Sequence, residues 1–117
     1  MVVLVFEDNL LWSSRLFKSL KALGHEPIVR TTPDPSPSGA EVAIVNLGSE
    51  KLEPRALVPA LNAAGICTIG HAGHKETEVL EFGHDIGCRI LATNSQITFH
   101  LENLLKSAGN NSATTSS

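Results

Sequence analysis

Two carboxylates stand side by side at Glu7-Asp8, directly after the apolar run Val2-Val3-Leu4-Val5-Phe6. Acids at such a place can hold a divalent cation through their oxygens, or stabilise the start of a following helix. His71 and His74, three residues apart, could join Glu7 or Asp8 in a zinc site, although two histidines in a loop are ordinarily just solvated. Asn46 and Thr93 add neutral polar groups at the ends of two further apolar runs. Cys67 and Cys88 are too few for a disulfide framework or a four-ligand zinc motif, and small buried thiols are the ordinary occurrence at such places.

These residues belong to a chain of 117 residues, 42% of them hydrophobic, which is enough core for one domain and too little for two. Nine basic against twelve acidic side chains leave a formal charge of -3, which argues against a nucleic-acid partner held by charge. The first apolar run is far shorter than the roughly 20 residues of a membrane span, and no basic flank precedes it. With reduced thiols, the expectation is a cytoplasmic protein with neither a membrane nor a nucleic-acid partner.

Short β-branched runs alternate with amphipathic stretches along the chain, which is the order of an α/β fold. Residues 2–6, 27–30, 42–45, 67–70 and 89–92 are the expected strands; the first lacks period-2 alternation, as a central parallel strand covered on both faces should. Leu16, Phe17, Leu20 and Leu23 mark the buried face of a first helix, with Arg15, Lys18 and Lys21 in solvent. Leu57, Ala60, Leu61 and Ala64 mark another helix, whose start is ambiguous by a turn because Pro59 follows Pro54. Thr77 opens a third, and Asn94 or Ser95 caps a last one carrying Ile97, Leu101, Leu104 and Leu105. Between the second and third strands, prolines at 33, 35 and 37 forbid the helix that such a crossover normally carries.

Five strands in this order imply a flavodoxin-like, doubly wound parallel sheet of order 2-1-3-4-5, its second helix replaced by a Pro-rich loop. The domain should span residues 1–108, with 109–117 a disordered tail that has nothing to bury. A site in such a sheet lies at the carboxyl ends of the strands, where Glu7-Asp8, Asn46, His71 and Thr93 are expected.

Over about residues 1–107 the chain resembles the receiver domains of two-component response regulators, by strand order, length and the Glu7-Asp8 pair. The resemblance implies a magnesium ion at Glu7 and Asp8, an aspartate acceptor after the third strand, a Thr or Ser after the fourth and a Lys after the fifth. Here Asn46, His71 and Thr93 stand at the last three places. An amide is a very poor nucleophile towards phosphorus, so the chain looks like a degenerate, or pseudo-receiver, domain. That class implies no catalysis, no required cofactor, and a protein partner or homodimer in bacterial signalling. Two alternatives stay open: phosphorylation at a non-standard acid such as Asp8, and a small-ligand or metal sensor with His71 as its reporter. Because the crossover lacks a helix, the sheet around Ile28, Arg30, Ala43 and Val45 is expected to stay uncovered and to serve as a self-association or partner face.

Overall fold

The computed structural model describes residues 1–73 and 75–115, with side chains through Gly109; His74, one of the two loop histidines, lies outside the described residues. Strands β1 (Val2–Phe6), β2 (Glu26–Arg30), β3 (Val42–Asn46), β4 (Cys67–Ala72) and β5 (Ile90–Thr93) alternate with helices. These helices are α1 (Leu10–Ala22), α2 (Pro54–Ala63), α3 (Thr77–Asp85), α4 (Asn94–Phe99) and α5 (Leu101–Thr115), with a short 3-10 turn at Glu50–Leu52. All strand pairs are parallel and the sheet order is β2-β1-β3-β4-β5, the doubly wound order expected from the sequence.

Alternating side chains divide the core between the two faces of the sheet. Val3, Val5, Ile44 and Ile69 point to one face, where Leu16 and Leu20 of α1 and Ile97, Leu101 and Leu105 of α4 and α5 cover them. Leu4, Phe6, Ala43 and Val45 point to the other, under Leu57, Val58 and Leu61 of α2. Each core Leu or Ile buried this way contributes roughly 1.5–3 kcal/mol.

Several boundaries move from their expected places. On α1, Leu16 and Leu20 are buried, but Phe17 and Leu23 are 41% and 37% exposed, so the buried stripe is narrower than the apolar one. Helix α2 does begin at Pro54, whose missing N–H costs nothing in a first turn, and carries Pro59 within it. Strand β4 continues through His71 to Ala72, which puts His71 inside the sheet rather than after it. The cap of α4 is Thr93, not Asn94 or Ser95. Helix α5 continues past residue 108, where the sequence pattern ends.

No helix forms between β2 and β3. Arg30 organises that crossover instead: its guanidinium donates to the carbonyls of Asp34 and Ser36 and to Ser38 Oγ, while lying 5.9 Å from the Phe6 ring centroid. The uncovered face expected around Ile28, Arg30, Ala43 and Val45 is not there. Ala43 and Val45 are fully buried beneath the helices of that side, and Ile28 is half-buried against the same core.

Candidate functional site

Parallel register brings three polar side chains to one place. Val5 pairs with Ile44, and Asn46 with His71, so Glu7, one step beyond β1, falls beside Asn46 with His71 next in the row. All three project to the face covered by α1, because residues two apart on a strand share a face. The chain then turns at Asn9, whose side chain accepts from the Trp12 N–H at 3.1 Å and starts α1. This turn carries Trp12 over the site, with its ring centroid 6.2 Å from that of His71.

Glu7 is 1% exposed and His71 is 2% exposed, so both lie in a place where an unpaired charge is costly. Glu7 Oε2 accepts from Asn46 Nδ2 at 2.8 Å and from the Asn9 N–H at 3.3 Å. Asn46 Oδ1 in turn accepts the Gly48 N–H at 3.0 Å, so this amide has a partner for each of its two heteroatoms. Glu7 Oε1 has no hydrogen-bond partner and faces His71 Nε2, likewise unpartnered, across 3.8 Å.

His71 Nδ1 lies 2.8 Å from Asn94 Oδ1, which makes Nδ1 the donor and leaves a lone pair on Nε2 in the neutral ring. Burial lowers the pKa of His71 below its ordinary value, opposed by the Asn94 hydrogen bond and by the Glu7 carboxylate. The ring is therefore neutral near pH 7, and its 3.8 Å approach to Glu7 is not an ion pair in that state.

The remaining expected residues divide. Asp8 is half-buried beside Glu7 in sequence. Thr93 occupies the end of β5 but spends its side chain on a capping box: Thr93 Oγ1 accepts the Gln96 N–H at 3.2 Å, and Gln96 Oε1 accepts the Thr93 N–H at 2.8 Å. The contact to His71 comes from Asn94 instead. Trp12, near the start of α1, and Asn94, directly after β5, complete the site.

For a magnesium ion the donor set is short: Glu7 Oε2 already accepts from Asn46 Nδ2 and the Asn9 N–H, Oε1 and the neighbouring Asp8 are the carboxylate groups left, and β3 ends in an amide instead of a third carboxylate. Among the described residues no three His, Cys, Asp or Glu side chains converge as metal ligands.

No family model matches the sequence, and no curated protein matches it. Solved structures match the fold. A CheY-like protein (tadZ) from Pseudomonas aeruginosa PAO1 superposes with a TM-score of 0.76 at 15% identity, over 92% of this chain and 98% of that one. A response regulator receiver domain protein (CheY-like) from Methanospirillum hungatei JF-1 gives a TM-score of 0.73 at 14% identity, over 94% and 97%. At such identities the likeness is one of fold, and the fold of this chain is receiver-like.

Proposed function

We propose that the chain is a phosphorylation-independent, receiver-like module that acts in signal transduction by binding another protein, without catalysis of its own. The observation that carries this reading is the Asn46 amide donating to Glu7 Oε2 at 2.8 Å. An amide at the end of β3 offers no nucleophilic oxygen for a phosphoryl group, and its N–H holds the neighbouring carboxylate without a cation. The crevice is thus stable in a single, unmodified state. Signalling enters from the description of one similar structure as a response regulator receiver domain protein.

Incubation with a small phosphodonor and magnesium, followed by intact-mass measurement, tests the reading. No mass increase is expected. A stable acyl phosphate on Asp8 or on any other residue would overturn it in favour of phosphotransfer at a non-standard acid.

A second reading, a ligand sensor in the crevice, draws support from the facing unpartnered atoms Glu7 Oε1 and His71 Nε2. Zinc titration followed by NMR separates the two: specific shifts at His71 favour the sensor, and their absence favours the interaction module.

A further inference from the structure

Among helices α1 to α5, only α1 and α3 carry more than one charge of a single sign. Helix α1 has Arg15, Lys18 and Lys21 and no acid, whereas α3 has Glu78, Glu81 and Asp85 and no Lys or Arg. All six side chains are exposed. Residues three or four apart are neighbours on a helix, so each set forms one ridge, about 9 Å long on α1 and about 10.5 Å on α3. Among the described residues no carboxylate pairs with the α1 ridge and no Lys or Arg with that of α3; Asp85 meets only the exposed ring of His84, at 3.6 Å. Arg15 and Lys21 lie over the rings of Trp12 and Phe17, 5.5 and 5.9 Å from their centroids, contacts that bring no counter-charge. Beside its cations α1 also shows apolar groups to water, with Leu10 78% and Leu11 70% exposed.

We propose that the solvent face of α1 docks the α3 face of a second copy, in a head-to-tail contact set by opposite charge. A face with three cations and no acid calls for an acidic occupant, and this chain carries one of matching length and charge count on its own surface. Acids elsewhere are interleaved with cations, Glu50 and Glu53 with Lys51 and Arg55, and Glu102 with Lys106, so they offer no such ridge. A second α1 would bring like charges together, which disfavours a two-fold pairing through this helix. As the helices close, Leu10 and Leu11 leave water. One molecule cannot satisfy both ridges itself, because Leu16 and Leu20 of α1 pack on one face of the sheet and Val79 and Ile86 of α3 on the other. Opposite faces cannot both turn to one neighbour either. Each contact therefore leaves a free α1 at one end and a free α3 at the other, and the association is open. Exposed ion pairs are individually weak and screened by salt, so assembly depends on ionic strength. The crevice takes no part, and the contact stands independently of the reading given above for Asn46.

Sedimentation equilibrium up to millimolar protein, at about 0.01 M and about 1 M salt, tests the contact, since the screening length falls from about 30 Å to about 3 Å between them. The parent should exceed the monomer mass at the lower salt and return to it at the higher. Reversing α1 by Arg15→Glu, Lys18→Glu and Lys21→Glu should abolish assembly. Reversing α3 by Glu78→Lys, Glu81→Lys and Asp85→Lys should do the same. Melting curves establish that each variant is folded. The protein with all six changes should assemble again at low salt, because its reversed α1 meets a reversed α3; a pairing of α1 with α1 would not be restored in this way. A parent that is monomeric at low salt overturns the proposal and leaves the α1 face to an acidic partner of another kind. Assembly that survives either reversal overturns it too, as does a folded six-change protein that stays monomeric beside an assembling parent.

Discussion

Replacing Asn46 by Asp sets a carboxylate against Glu7 Oε2 at a position now held by an N–H donor 2.8 Å away. Two carboxylates so close, one buried and one half-buried, repel strongly without a cation, and one of them takes a proton or gives up its place. At pH 7 without metal, Asn46→Asp is expected to lose about 1–3 kcal/mol, the cost of turning a charge-assisted hydrogen bond into a repulsive contact. Magnesium should restore part of that loss in the variant and leave the parent almost unchanged, as read from melting temperatures. Equal protection of both would mean that Asn46 and Glu7 are not neighbours. His71 makes a separate prediction. Its native pKa lies below the unfolded value of about 6.5, so between the two values the unfolded chain binds more protons. The neutral ring's contribution to stability is present above the unfolded pKa and is lost as pH falls through the native one. Urea midpoints should fall on acidification from about pH 6.5, and His71→Gln should fall less over the same interval. A variant with an unchanged acid slope would assign that slope to other groups.

At the scale of elements, the start of α4 is fixed by a reciprocal pair of hydrogen bonds between Thr93 and Gln96. Thr93→Ala removes the side-chain acceptor and should cost about 0.5–2 kcal/mol, while Thr93→Ser keeps the oxygen and should cost less. Chemical denaturation of the two variants checks this, and equal losses would show that the methyl group matters more than the cap. The same region shows what a sequence conveys about its elements. Runs such as Val42-Ala43-Ile44-Val45 announce buried strands because nothing else keeps four apolar residues together over so short a length. Gly70-His71-Ala72 carries no such signal, so β4 looks complete two residues early and its histidine looks like part of a loop. Thr93, Asn94 and Ser95 are all acceptable caps; the discriminating residue is Gln96, three after Thr93, which completes the box. On α1, Phe17 belongs to the apolar stripe by spacing, yet the sheet beneath is narrow at its β2 edge and leaves it half in water. The meeting of Glu7 with Asn46 was legible, since both close central strands. The burial of His71 against Glu7 and Trp12 was not, because it depends on register and on where α1 begins.

For the molecule as a whole, the two faces of the sheet are covered by different means. One has α1, α4 and α5; the other has α2 and α3, with the Arg30-centred loop where a further helix would lie. The expected opening over Ala43 and Val45 is closed because α2 lies directly on them, so the missing helix leaves its mark at the outer strand and not at the centre of the sheet.

That loop also divides the chain in a way that its compact packing conceals. Everything before Gly39 amounts to one strand-helix-strand unit, and its β1 sits between β2 and β3 in the sheet. The only covalent tie from this unit to the rest runs through residues 31–40, in which Ser38 and Gly39 both have positive φ, 48° and 79°, and lie exposed. Opening the peptide bond between them should therefore yield two pieces, 1–38 and 39–117, that reassemble when co-expressed, with β1 of the first pairing along the β3 edge left open on the second. Reassembly would be bimolecular, so stability would now depend on concentration. Co-elution of a tagged 1–38 with 39–117, and its loss when Val5 in the middle of β1 becomes Asp, would make this domain a natural two-part reporter.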